Sequence, residues 1–390
     1  MDETKTSRLV IPAFVLSRVA AQPHGLITAL LLIEIADTFN VPIGVAGQLS
    51  TAVFTVSMVI GVAMSFLAIK YSYRSLMLVG LSFYAASFVG SYLAPDFSTM
   101  LVAFSLIGIA ASMVNPMAGA LVGNLLPENE RAKIISWFFA GMALCVLFGS
   151  SYITFIAGLW GWKTNFLLFA LPFALVAILL VYVAVPRTGA QGGSGQTSVV
   201  SGFREILSNR SAVSCILCAV LTEAAWTVTP VFGVTYMRQI TQLPLSLSWL
   251  ILVGTSISFM AGSLMGGRFV GRLGRKRLAV YSSFALGLLM LAYLNVSAPL
   301  VSAALLFLGC VVSSMRYTAS ESLTLEQVPS LRGSVMSLNS IALSAGATVG
   351  TLLGGFLLLS HGYGALGTLG LLSIAAAILY TIMAVDPINS

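Results

Sequence analysis

The sequence predicts an all-α membrane protein of twelve transmembrane helices in two pseudo-symmetric six-helix bundles. Three observations carry that prediction. Twelve apolar stretches of about 20 residues follow one another, a length that spans the roughly 30 Å hydrocarbon core of a bilayer as a helix. Of 390 residues, 58% are hydrophobic and only 8% are Asp, Glu, Lys or Arg, where a soluble domain carries about a quarter charged residues. Finally, a single polar, glycine-rich segment divides the stretches six and six.

The first-half stretches run over 10–35, 46–69, 75–94, 98–125, 133–157 and 164–185. The first follows a polar tail, Met1 to Arg8, and is too long for the apolar part of a cleavable signal. The second ends on Lys70 and the third begins behind Arg74. The fourth contains Asn115-Pro116, where the proline predicts a kink, and stops at Leu126-Pro127. Residues 186–208 contain Gly189-Ala190-Gln191-Gly192-Gly193-Ser194-Gly195-Gln196, the composition of a flexible linker. The second-half stretches follow over 211–236, 245–270, 278–296, 300–325, 334–359 and 363–384. In the eleventh, Gly346, Gly350 and Gly354 recur every four residues, the spacing of a close helix contact. The predicted domains are therefore a bundle over 1–185, a cytoplasmic linker over 186–208 and a bundle over 209–390.

Charge sets the expected orientation. The formal net charge is +7, but the basic residues do not form a nucleic-acid surface. They gather in alternate connections, such as Lys70 and Arg74 or Arg272, Arg275 and Lys276, while the opposite connections hold Lys163 and Arg238. This positive-inside asymmetry places both termini in the cytoplasm of a multi-pass cell-membrane protein. Cys145, Cys215, Cys218 and Cys310 all fall inside apolar stretches and read as small packing residues.

The halves resemble each other. Ile69-Lys70-Tyr71-Ser72-Tyr73-Arg74 closes the second stretch, and Gly271-Arg272-Leu273-Gly274-Arg275-Lys276 closes the eighth. Leu126-Pro127 before Glu130-Arg131 closes the fourth, and Val328-Pro329 before Leu331-Arg332 closes the tenth. Repeated bundles of this kind suit a transporter that rocks about a central site.

With these motifs the chain resembles the major facilitator superfamily over nearly its whole length. Gly267-Arg268-Phe269-Val270-Gly271-Arg272-Leu273-Gly274-Arg275-Lys276 is similar to that family's G-x-x-x-D-R-x-G-R-R loop, with Gly271 in place of the acid. The resemblance implies a loop that latches the halves, which makes Gly267, Arg272, Gly274 and Arg275 gating candidates. It implies alternating access, with helices 1, 4, 7 and 10 lining a central cavity. Phe104 stands near the place of the arginine that many proton-coupled drug exporters carry, and Gly149-Ser150-Ser151 where exporters often show Gly-Pro.

Ionisable side chains in mid-membrane are costly and point to function. Glu223, at the centre of the seventh stretch, is the expected proton-coupling residue; Trp226 and Thr227 share its face and are expected to touch substrate. Arg316, in the tenth, is expected to pair with Glu223 or to grip an anionic group through its fork of donors. Tyr317 is a substrate candidate beside it. Glu321 lies about 140° around the helix from Arg316, on the face of Tyr317, and is a gating candidate. In the first stretch, Arg18 and Gln22 share a face as substrate candidates, and His24 is a second proton candidate. Asn115 is a cavity-lining candidate.

The expected function is secondary transport of a small organic molecule, proton-coupled and outward. Two alternatives are uptake of an organic anion with protons, since Arg18 and Arg316 would make a basic cavity, and a non-transporting sensor or scaffold. No enzyme signature is present: there is no G-x-x-x-x-G-K-[ST] loop for a nucleotide and no metal-ligand spacing around His24 or His361. The expected partners are the substrate, protons and membrane lipid, with no cofactor and no nucleic acid, and the expected assembly is a monomer.

Overall fold

The computed structural model describes residues 9–125, 128–186, 203–328 and 331–386, and leaves out the side chains at 65, 66, 69, 120, 122–140, 332 and 333. The linker octet from Gly189 to Gln196 and the side chains of Arg131 and Arg332 lie outside the described residues. Among those residues all regular structure is helical.

Among the described residues, eleven helices are long and apolar enough to cross a membrane. In chain order they are α1 Val10–Phe39, α2 Ile43–Met64, α3 Tyr73–Leu93, α4 Phe97–Gly119, α5 Gly141–Trp160, α6 Phe166–Ala184, α7 Arg210–Gln239, α8 Leu245–Leu273, α10 Pro299–Leu325, α11 Ser334–His361 and α12 Tyr363–Met383. Between α8 and α10 runs α9, Arg275–Tyr293, whose first turn holds Arg275, Lys276 and Arg277. Twelve helices result, because only a helix satisfies its own backbone groups in hydrocarbon.

Local chemistry sets the ends. Asn209 Oδ1 accepts from the amides of Ser211 at 3.0 Å and Ala212 at 3.2 Å and opens α7. Gly274 has φ 82° between α8 and α9, a conformation that favours glycine. Asp96 Oδ1 accepts from the Thr99 amide at 2.8 Å and its hydroxyl at 3.0 Å, opening α4. These donors, the amide first, hold the exposed Asp96 carboxyl below the usual carboxylate range. A depressed folded value means stabilisation that is complete above the unfolded pKa and lost as pH falls through the folded one. Asp96→Ala is therefore expected to melt below wild type at neutral pH, with the gap closing in acid; a constant gap across pH would remove the charged cap.

The first helix of each half is interrupted, as are α2 at Gly47 and α12 at the 3-10 turn Gly367–Leu369. In α1 the regular helix stops at Val19 and resumes at Pro23. In α7 it breaks at Thr227, between Trp226 and Val228. Pro23 and Pro230 lack the N–H that would bond the carbonyls of Val19 and Trp226, four residues back.

Contacts divide the chain into two compact units, one of Met1–Phe39 with Thr55–Gly195, the other of Asn40–Phe54 with Gln196–Ser390. In the first, Gly80 of α3 lies against Met113 and Val114 of α4, and Gly141 of α5 against Val15 and Val19 of α1. Aromatic rings fill its interior: Tyr84 stacks on Phe88, Phe88 on Phe166, and Phe166 meets Phe104 and Trp162 edge-on. In the second, Cys215 and Cys218 of α7 pack with Ala376 and Tyr380 of α12, Leu278 of α9 and Leu323 of α10. Gln48 of α2 donates to the Thr351 carbonyl at 3.4 Å, and Thr51 to the Thr351 hydroxyl at 2.8 Å.

The glycine stripe of α11 lies directly on α7. A Cβ at Gly350 would run into the Ala224 carbonyl, and one at Gly346 into the Val220 carbonyl and Glu223 Cβ. Gly350→Leu is accordingly expected to cost at least the 1–3 kcal/mol typical of overpacking, read as a lower melting temperature in detergent. A Gly271→Leu control meets no atom within 4 Å of the added Cβ; equal melting temperatures for the two variants would exclude the close contact.

Candidate functional site

The polar residues of α7 and α10 meet inside the second unit. The α7 sequence Thr222-Glu223 sends adjacent side chains to different sides: Thr222 is fully buried, while Glu223 keeps 15% of its side chain exposed. Arg316 of α10 is 1% exposed and is the largest fully buried side chain described. Its Nη1 donates to Thr222 Oγ1 at 2.6 Å, and its Nη2 lies 3.6 Å from Glu223 Oε2. Its guanidinium also sits over the Tyr317 ring, 3.9 Å from the centroid, a cation–π geometry strengthened by exclusion of water.

Glu223 has its own anchors. Tyr317 donates its phenolic hydroxyl to Oε2. Thr227 donates to the Glu223 carbonyl at 2.8 Å and approaches Oε1 at 3.3 Å, at the break in α7. Each charge is thus held by neutral hydroxyls, and the ion pair between them is close without a hydrogen bond. Arg316 Nε and Nη2 have no hydrogen-bond partner. A buried guanidinium with two unused donors favours any arrangement that brings an anion nearer.

Around this core, Trp226 is buried with its ring edge near Gly309 of α10, and Phe259 of α8 lies 5.9 Å from the Tyr317 ring. Glu321 is exposed, one turn beyond Tyr317 on α10. The structure brings Glu223, Arg316, Tyr317 and Thr227 together. Thr222, which anchors Arg316, carries no signal in the sequence beyond its adjacency to Glu223.

In the first unit the polar residues flank the α1 break. Arg18 ends the first segment, Gln22 lies in the turn and His24 opens the second; all three are half-buried. The His24 ring stacks on Tyr84 of α3 at 6.4 Å. Tyr84 is fully buried and its hydroxyl has no hydrogen-bond partner; only its place in mid-stretch could have marked it in the sequence. Asn115 is half-buried beside Pro116 within α4. Gly267 and Arg272 are exposed, while Gly274 and Arg275 are half-buried at the α8–α9 turn. No group of three or more His, Cys, Asp or Glu that could hold a metal occurs among the described residues.

Long apolar helices with a buried charge cluster on a broken helix are those of a multi-pass membrane protein. The sequence profile of the Major Facilitator Superfamily matches residues 19–329 and 215–389, and the chain belongs to that family. It is 22% identical over 388 residues, 97% of its length and 96% of the relative's, to the uncharacterized MFS-type transporter YtbD of Bacillus subtilis. It is 26% identical to YwfA of the same organism, covering 89% of this chain and 85% of that one. Among solved structures, the nucleoside transporter NupG superposes with TM-score 0.76 at 15% identity, over 96% of this chain and 98% of that one. The D-xylose-proton symporter gives 0.78 at 13% identity, over 97% and 98%. At such identities the likeness is one of fold. The chain is a multi-pass membrane transporter of the superfamily.

Proposed function

We propose that the protein is a proton-coupled secondary transporter that exports a small organic molecule by alternating access, with both termini in the cytoplasm and bundles over 1–185 and 209–390. The observation that carries this reading is the Glu223–Arg316 pair in mid-membrane, each partner with an independent anchor. Deprotonated Glu223 attracts Arg316 and draws α7 and α10 together. A proton on Glu223 removes that attraction while Thr222 still holds the guanidinium. The two protonation states therefore favour different helix packings, which is all that coupling requires. His24, stacked on Tyr84, is the second proton candidate. Gln22, Arg18, Asn115, Trp226, Thr227 and Tyr317 are the residues proposed to meet substrate, and Glu321 with the α8–α9 turn the residues proposed to gate it.

The unused Nε and Nη2 donors of Arg316 favour a second reading, in which the cargo is an organic anion taken up with protons. A thermal-shift screen of the purified protein at two pH values separates these. Protection by cationic or neutral compounds supports export; protection by carboxylates alone, lost in Arg316→Lys, supports anion uptake. Protection by nothing, together with no flux in proteoliposomes, would return the protein to a sensor or scaffold.

A further inference from the structure

We infer that the α8–α9 turn is a binding site for the phosphate headgroup of an anionic phospholipid, with the acyl chains lying along α8 and α9. Five cations occupy ten residues there: Arg268, Arg272, Arg275, Lys276 and Arg277. Three of them stand in the first turn of α9, which holds no acidic residue. The helix dipole is positive at that end, so cations there are placed against it. Lys276 donates to the Thr381 carbonyl at 3.1 Å. No ion pair joins any of the five to a carboxylate among the described residues. Arg275 Nη1 meets no hydrogen-bond partner. Arg268, Arg272 and Arg277 are exposed. The turn thus holds a dense positive charge with no counter-charge from the described protein, at the end of a helix whose amides also favour an anion.

The adjoining faces show which anion fits. On α9, Arg277 heads an exposed row at helical spacing: Tyr281 at 61%, Phe284 at 48% and Leu288 at 48% exposed. On α8, Ile257 at 57%, Met260 at 56% and Leu264 at 67% lead down to Arg268. Each row is apolar for about three turns and ends in an arginine, matching a molecule with apolar tails and an anionic head. A free inorganic anion has no use for those rows. The equivalent turn of the first unit is built differently. Arg74 there donates to the Tyr182 carbonyl and lies over the Tyr182 ring at 5.4 Å, and Lys70 lies over the Tyr71 ring. Those cations are taken up by the protein itself, while four arginines of the α8–α9 turn are not.

This site does not depend on the transport cycle proposed above, and binding is its direct test. The full-length protein in neutral detergent is titrated with phosphatidylglycerol or phosphatidylcholine, and bound lipid is counted by native mass spectrometry. Phosphatidylglycerol is expected to bind about tenfold more tightly, a preference lost at high salt. Arg272→Gln/Arg275→Gln/Arg277→Gln is expected to bring it down to phosphatidylcholine, while the triple lysine variant keeps it. An undiminished preference in the glutamine variant, or in wild type at molar salt, would overturn the proposal. So would full displacement of the lipid by inorganic phosphate at equal concentration, which would make the site one for a free anion. Should the glutamine variant fail to fold, the salt series and the lysine variant still decide.

Discussion

Glu223→Gln is expected to abolish uphill transport driven by a pH gradient while sparing exchange of substrate for substrate across the same membrane. The variant keeps the shape of the side chain and an oxygen that can accept from Tyr317, so the break in α7 and the packing against Gly346 are retained. It loses the ability to carry a proton and the negative charge facing Arg316. Exchange needs only the change of packing with substrate bound; uphill flux needs the proton to alter which packing is favoured. Both are measured in proteoliposomes, with and without an imposed gradient. Unchanged gradient-driven accumulation would remove Glu223 from coupling, and His24 would become the residue to vary next. Loss of both activities would make Glu223 a structural residue.

The second large effect concerns stability. Arg316→Met is expected to lower the free energy of unfolding by about 3 kcal/mol, near the bottom of the range for breaking a buried ion pair, because Glu223 retains some exposure. The loss has two parts. Thr222 loses the donor on its hydroxyl, and Glu223 keeps a carboxylate in a low-dielectric site without its counter-charge. Adding Glu223→Gln to Arg316→Met removes the second part, so the double variant is expected to be more stable than the single one. Melting temperatures in detergent, read as a double-mutant cycle, give the coupling directly. Additive effects would show that the 3.6 Å approach contributes nothing and that Tyr317, Thr227 and Thr222 alone hold the two side chains.

Much of the fold was legible because the bilayer imposes length and polarity on every segment. Each apolar stretch had to be a helix about 20 residues long, and the interruptions by Pro, Gly and basic residues marked its ends. The glycine spacing in α11 announced a close contact, since in lipid only small residues let backbones approach. The partner of that contact was not legible, because nothing in Gly346 or Gly350 names Val220 or Ala224. The interruptions of α1 and α7 were not read from the sequence, where 10–35 and 211–236 passed as unbroken stretches; Pro23 and Pro230 show where a backbone bond is missing and not what the freed geometry positions. Arg316 and Glu223 were conspicuous as charges in apolar sequence. Thr222 and Tyr84 were not, because a hydroxyl costs little enough to occur anywhere in a membrane helix.

Alone, the sequence determined that this chain is a twelve-helix membrane protein, since burial in hydrocarbon constrains composition and length residue by residue; its loop motifs carried the resemblance to the major facilitator superfamily. Only the tertiary structure decided that Arg316 is anchored on Thr222, that Tyr317 and Thr227 hold Glu223, and that the cations of the α8–α9 turn meet no carboxylate among the described residues. Those facts depend on which helix faces meet. Packing of small residues and the closing of short polar contacts settle that choice over distances in sequence that no local pattern encodes.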